Sequence, residues 1–464
     1  MSQRGLLFLP KRCVQDKSAS MHSWPLLQRR LKLVRATSLS CVLRFRLARG
    51  PCSSKWIGFQ KDYLSSRKQC TCANAVFCYD LFMILTDVKL IHERDVAKYA
   101  WGRIGKFQNV EFCTSRIVRN HRLPQSQIKN ARNQAEEIKY CLNQAKEYAQ
   151  AAASVSLATR PVLLYYSAMS MALAEILFKQ TADSRLAKLR EKHPAHGLVL
   201  RLAGIPGCSD SLASSANRLI AIPQMSGAAD AIGTFEVWRK SARESPIGGN
   251  HTEQIANVEQ SRYAMLLIGE DKPLRRLPKQ GLTLLDCLRE LPYLADTLHG
   301  MGDYVRLVRT TITRKSGANS FSPLLVVVVH PSPPEVVAEF LNRCRFSPSR
   351  SNDVEIIMEG ASQLVFTVNL PNASGSFHLP SAISTSEELT YFSCSNIGLN
   401  EFGYLYAALH ICGNFARYYP DIWLRHIEKS SDLCLAIDDL CAKSLERLPL
   451  LLLSELTSSH HVTT

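Results

Sequence analysis

The stretch RPVLLYYSAMSMALAEILFKQ, residues 160–180, decides how the chain is read. It is apolar nearly all round, and such a helix is either buried in a core or spans a bilayer. The apolar run from Val162 to Phe178 only reaches the lower length limit for a crossing, and Glu175 sits inside it. The expectation is a fully buried central helix and no membrane partner. Arg160-Pro161 opens it, since proline is well tolerated in a first helical turn.

Upstream, Ile128, Ala131, Ala135, Ile138, Leu142, Ala145, Ala149 and Ala152 recur by alternating threes and fours. That spacing predicts a helix over about 127–153, and its alanine-rich stripe lets a partner helix approach closely. Downstream, residues 199–270 are mixed, with short apolar pieces between Gly/Ser/Pro/Asn clusters. Residues 282–299 return to helix, broken by Pro292. From 303 to 395 the pieces YVRLVRTTITR, SPLLVVVVH, VEIIMEG, QLVFTVNLP and SGSFHLP are strand-like, with PEVVAEFLNRCRF a helix between two of them. LLVVVV at 324–329 is short and β-branched, hence a buried strand rather than a span. From Glu401 onward the chain is helical again, in EFGYLYAALHICGNFARYY, PDIWLRHIEK and DLCLAIDDLCAKSLERL. The fold class expected is α+β, mostly helical, with N-terminal and C-terminal helices flanking a β-rich middle region. The regions are 83–300, helical with a mixed insert; 301–398, β-rich; and 399–464, helical. The terminal helices are expected to pack together across the inserted β region.

Residues 1–82 stand apart. They hold 15 Lys/Arg and 3 Asp/Glu, so they carry +12 of the formal net charge of +16. Two readings fit a basic, Ser-rich, acid-poor stretch without sustained periodicity: an organellar transit peptide, or sequence upstream of a true start at Met83. The second is preferred, and the segment is expected to be disordered or untranslated. The remaining 41 basic and 37 acidic residues leave the body near neutral, so global basicity gives no warrant for nucleic-acid binding. The fifteen cysteines are scattered, and Cys70, Cys72 and Cys78 lack paired zinc-ligand spacing. No metal or other cofactor is expected, and the thiols read as reduced.

RPVLLYYSAMSMALAEILF followed by HGL, together with AWGRIGKFQ, LTLLDCLRELPYL and ARYYPDIW in that order, resembles the YaaC-like family of bacterial proteins over roughly residues 95–460. The resemblance implies a bacterial, cytoplasmic protein. It implies no reaction, and it leaves 1–82 without a counterpart.

Two groups are candidate sites. In KLREKHPAHGL, residues 188–198, Arg190 and His196 are similar in spacing to the Arg/His motif of HEPN-type ribonucleases. That likeness would imply a histidine moving a proton at a ribose hydroxyl and an arginine steadying phosphate. Pro194 lies between them and prevents a shared regular helix. The favoured alternative is a helix exit and ordered turn, with His196 bonding a backbone group, Gly197 at positive φ and Arg190 solvated. In ARYYPDIW, Arg417 and Trp423 form an arginine-plus-aromatic candidate for a ligand or base. Its alternative, also favoured, is a packed corner in which Arg417 pairs with an acid. No phosphate loop, G-x-S-x-G, H-E-x-x-H or dinucleotide fingerprint occurs. The leading expectation is a protein that binds an unknown protein or small-molecule partner, the alternative a metal-independent ribonuclease using Arg190 and His196, with RNA as its partner.

Overall fold

In the computed structural model of the chain, the described residues are 84–86, 88–179, 185–227, 230–242, 247–255, 258–267, 274–315, 324–343, 354–359, 363–369, 382–386 and 389–463. All belong to one unit, Cys72–Thr464. The expectations for 1–82, including Cys70, Cys72 and Cys78, and the strand expected in SGSFHLP lie outside the described residues.

The helices are α1 (Val96–Ile104), α2 (Val110–His121), α3 (Ile128–Ser154), α4 (Arg160–Lys179), α5 (Leu186–Lys192), α6 (Leu212–Asn217), α7 (Thr234–Ser241), α8 (Leu284–Leu288), α9 (Ala295–Gly300), α10 (Pro334–Arg343), α11 (Glu401–Tyr418), α12 (Pro420–Glu428) and α13 (Asp432–Thr457). The strands are β1 (Ile84–Thr86), β2 (Val88–Ile91), β3 (Leu198–Leu202), β4 (Leu219–Pro223), β5 (Met225–Ser226), β6 (Asp230–Ala231), β7 (Ile247–Ile255), β8 (Val258–Leu267), β9 (Leu282–Thr283), β10 (Leu307–Lys315), β11 (Leu324–Val329), β12 (Val354–Glu359), β13 (Gln363–Asn369), β14 (Ala382–Ser386), β15 (Leu389–Ser393) and β16 (His460–Thr463). Helix outweighs strand, so the chain is a mostly helical α+β protein.

The alanine stripe of α3 is buried from Ala131 to Ala152. Against it lies α4, where Ser167 Oγ donates to the Ala145 carbonyl at 2.8 Å and Gln134 on α3 donates to the Leu177 carbonyl. α4 meets α11 at Gly413, where a Cβ would stand 3.1 Å from the Pro161 carbonyl and 3.1 Å from the Tyr165 Cβ. Only a glycine permits that approach without displacing a neighbour.

α4 is long and apolar enough to cross a membrane by length and composition, yet 72% of its most apolar window is buried inside the protein. Its one internal charge is provided for. Glu175 accepts from Trp238 Nε1 at 2.8 Å, and Lys179 bridges Glu175 at 2.6 Å and Glu455 of α13 at 2.7 Å. Burial raises the Glu175 pKa while Lys179 pulls it back down. Buried charge is tolerated when paired and hydrogen-bonded in this way.

The large sheet runs β1-β8-β7-β10-β11-β13-β12. β15 pairs with the first half of β10, and β14 pairs with β15. Its pairings are antiparallel except β7 with β10. Val308, Thr310 and Ile312 alternate inward on β10, and Phe340 of α10 packs on Phe392 of β15 with ring centroids 5.2 Å apart. At the joint between sheet and helices, the buried Glu290 accepts from Ser393 Oγ at 2.6 Å.

The structure departs from the sequence reading in three places. β1, β7 and β8 bring residues before 301 into the sheet, so strand structure reaches beyond 301–398. α13 continues through Pro449 to Thr457 because Leu448, Leu450, Leu452 and Leu453 are all buried, and their burial offsets the hydrogen bond that proline removes. The chain then leaves helix: β16 pairs in parallel with β2, His460 opposite Val88 and Thr463 opposite Ile91.

Candidate functional site

The site is built on the turn that follows α5. The His193 N–H closes that helix on the Leu189 carbonyl at 2.7 Å, and Pro194 prevents its continuation. The next two carbonyls turn toward the start of α7. Thr234 N–H donates to the Ala195 carbonyl at 2.9 Å and Phe235 N–H to the His196 carbonyl at 3.0 Å. The turn thereby satisfies donors that a helix N-terminus leaves free. Gly233 N–H donates to His193 Nδ1 at 3.2 Å. Two glycines make the contact close: Gly197 has φ +94° and Gly233 φ +99°, and a Cβ on Gly233 would lie 2.3 Å from the Gly197 nitrogen.

With its backbone pinned to α7, His196 turns its side chain toward α4 and α11. Nδ1 lies 3.1 Å from Met169 Sδ, and the ring stands edge-on to Tyr165 at 6.0 Å. Burial of one side of the imidazole lowers its pKa, and the Arg417 guanidinium lowers it further. Arg417 is exposed at the end of α11, where Nη1 donates to the Tyr166 hydroxyl at 2.9 Å and the guanidinium lies 5.1 Å from the Tyr418 ring centroid. Among the described residues no carboxylate lies within salt-bridge distance of Arg417 or His196.

Beneath this surface the helices bury polar side chains. Tyr165 is 4% exposed, Tyr406 0% and His410 3%. The Tyr165 ring lies 5.1 Å from His410 and 5.9 Å from Tyr406. The Tyr165 and Tyr406 side chains interact with each other through their hydroxyls. Burial raises both phenol pKa values, and each ring then alters the other's ionisation. Burial drives the His410 imidazole down to about 3, so it is neutral at physiological pH. The amide of Asn414 sits 3.1 Å from its Nδ1.

The sequence candidates separate. No hydrogen bond or ion pair joins Arg190 to His196; Arg190 is exposed on α5, and its charge acts on Cys141 of α3. The arginine beside His196 is Arg417. Trp423 is 1% exposed and packs on Phe415 at 6.1 Å, while Arg417 is at the surface on a tyrosine hydroxyl, not on an acid. Tyr165, Tyr166, Met169, Tyr406 and His410 escaped the sequence reading. Their signal was a polar stripe on an otherwise apolar helix: Tyr406, His410, Asn414 and Arg417 follow at steps of four, four and three, one helical face.

A separate cleft is lined by Gly197, Pro223, Met225, Phe235, Glu236 and Lys279, among others. Its carboxylate is already engaged, since Arg239 holds Glu236 at 2.6 and 2.8 Å. Among the described residues no group of three or more His, Cys, Asp or Glu is arranged to hold a metal ion.

A mostly helical α+β body with a histidine–arginine surface laid over paired core helices is a class defined by architecture, without a recognised catalytic motif. The chain belongs to the YaaC-like family: the family model described as YaaC-like Protein matches residues 105–204 and 263–456. Both spans contribute to the site, His196 and α4 from the first and α11 from the second. No curated protein matches the chain, and no solved structure does.

Proposed function

We propose that this YaaC-like chain is a soluble, cytoplasmic bacterial protein that binds an anionic small molecule or an acidic protein partner on the His196–Arg417 surface. One observation carries the reading: an exposed guanidinium stands beside an imidazole, and among the described residues no carboxylate lies within salt-bridge distance of either. A charge left without an internal partner is available to an external one, and a guanidinium matches carboxylate or phosphate geometry. Met169 and the Tyr148–Tyr166 stack, 5.5 Å between centroids, supply apolar contact area beside the charge. The burial of α4 supports a soluble protein, and the eight free cysteines among the described residues fit a reducing compartment. The test is thermal denaturation of the full chain against a panel of organic and inorganic anions, repeated with Arg417→Ala. Anion-dependent stabilisation in the parent that the variant loses is the expected result; stabilisation retained in the variant refutes the site.

The second reading is a metal-independent ribonuclease with His196 as proton carrier. Its support is that an arginine does face His196, although it is Arg417 and not Arg190. RNA cleavage in EDTA that disappears in a folded His196→Ala variant would establish it. Loss in Arg417→Ala with retention in Arg190→Ala would assign the arginine.

A further inference from the structure

We propose that the cleft between β4, α7 and residues 274–279 binds a short-chain carboxylate, with the carboxylate at the mouth and its apolar chain inside. This site is separate from the His196–Arg417 surface. Gly197 belongs to the cleft wall, whereas His196 turns its ring the other way, toward α4 and α11. The fold sets the cleft walls from both ends. Arg239 clamps residues 274–279 to α7 twice: its carbonyl accepts from the Leu274 N–H at 3.2 Å, and its guanidinium donates to the Leu274 carbonyl. The same guanidinium holds Glu236 at 2.6 and 2.8 Å. At the far end of the segment, the Gly281 N–H closes a turn on the Pro278 carbonyl at 2.9 Å. Gly281 has φ +92°, and a Cβ there would stand 2.5 Å from the Ala221 carbonyl oxygen of β4. Arg276, Leu277 and Lys279 are thereby placed along the cleft by contacts on either side of them.

The lining sorts by depth. Gly197, Pro223, Phe235 and Leu277 are buried, Met225 and Ala231 are half-buried, and Arg276 and Lys279 are exposed. An apolar interior under a cationic mouth suits a molecule with an anionic head and an apolar body. The acid in the wall does not repel it. Burial alone would raise the Glu236 pKa, but Arg239 and Lys240 bring it below the ordinary value, so the carboxylate is ionised and its charge compensated. Lys279 has no ion-pair partner among the described residues, and with the Arg276 guanidinium it presents donors to an incoming carboxylate. The cavity measures about 80 Å³. At about 10–15 Å³ for each water-sized group, it takes roughly five to eight non-hydrogen atoms. That is the size of a four- or five-carbon acid. A nucleotide or sugar phosphate is too large, and its polar body would meet an apolar wall that leaves it unpaired.

The test is ligand-observed NMR on the full chain with four probes: isovalerate, its neutral counterpart isoamyl alcohol, its cationic counterpart isoamylamine, and inorganic phosphate. We expect isovalerate to bind, the alcohol and the amine to bind more weakly, and phosphate to leave isovalerate in place. Lys279→Glu should weaken isovalerate by roughly tenfold, the scale of one lost charge-assisted hydrogen bond. Ala231→Leu fills the interior and should abolish binding. Where Ala231→Leu lowers the Tm, Lys279→Glu decides alone, because its side chain is exposed and the fold does not depend on it. Isoamyl alcohol binding as tightly as isovalerate overturns the anionic head. Displacement of isovalerate by phosphate overturns the apolar body. Lys279→Glu binding like the parent overturns the mouth, and a parent that binds no probe overturns the site. Loss of isovalerate in Arg417→Ala with retention in Lys279→Glu would put the acid on the His196–Arg417 surface, which overturns the cleft while supporting the reading given above.

Discussion

At the scale of the residue, two buried groups show how burial sets protonation. Glu290 lies at the joint of helix and sheet, and burial pushes its pKa up to about 8, opposed by the Ser393 hydrogen bond and by Arg306 and Arg343. In the unfolded chain the same carboxyl ionises near the ordinary glutamate value. The folded state therefore holds a proton that the unfolded state releases. Stability is full below about pH 4.5 and falls as pH rises toward 8, by at most about 1.4 kcal/mol per pH unit. Glu290→Gln keeps the shape and an acceptor for Ser393 and removes the titration. Its urea midpoint should exceed the parent's increasingly from pH 6 to 9; parallel curves would count against a buried neutral acid. Gly233 makes a steric prediction. Gly233→Ala places a Cβ 2.3 Å from the Gly197 nitrogen at φ +99°, so a loss of about 2 kcal/mol or more is expected in chemical denaturation. The turn itself was legible, because Pro194 and Gly197 are residues with strong backbone constraints. The partner of His196 was not. Arg190 is near in sequence, but Arg417 is brought there by α11, and no local spacing encodes that.

At the scale of the element, α3 and α4 were readable because period and composition agree with the packing they make. The alanines of α3 face inward as their spacing requires, and α4 is buried as its all-round apolar surface requires. What α4 does with Glu175 depends on α7 and α13, which supply Trp238 and Glu455. Lys179→Met leaves two carboxylates near each other without their shared cation. It should cost about 3 kcal/mol, the scale for breaking a buried pair from one side, seen as a lower urea midpoint at neutral pH. A double variant with Glu175→Gln should recover part of that loss. β7 and β8 were missed for the opposite reason. IGGNHTEQI and VEQSRYAMLL show neither clean alternation nor a long apolar run. Their strand state comes from partners on the large sheet, and tertiary context overrides weak local preference.

At the scale of the whole molecule, the order helix, mixed segment, strands, helix was visible as α+β, because patterns of period 3.6 and period 2 fall in separate blocks. The joining of distant pieces was not visible. β10 takes β7 along one part of its length and β15 along another. α4 receives α11 and α13 from the far end of the chain. The parallel pair of β2 and β16 completes the pattern and makes a prediction of its own. Removing residues 460–464 should raise amide exchange over Val88–Ile91 while the amides of α4 and α11 remain protected; unchanged exchange at Val88–Ile91 would mean the pairing contributes no local stability.

That pairing also bears on how the protein is made. β2 is synthesised near the beginning of the described chain, and its partner β16 is translated hundreds of residues later. At about 5–20 residues per second, β2 waits roughly 20–75 s for its neighbour to emerge. α4, which needs α11 and α13 to cover it, is exposed for much of the same interval. Vectorial synthesis therefore presents an apolar helix and an unpaired strand edge to the cell before release. The segments that close both come late in chain order, so completion of the core waits on α11, α13 and β16.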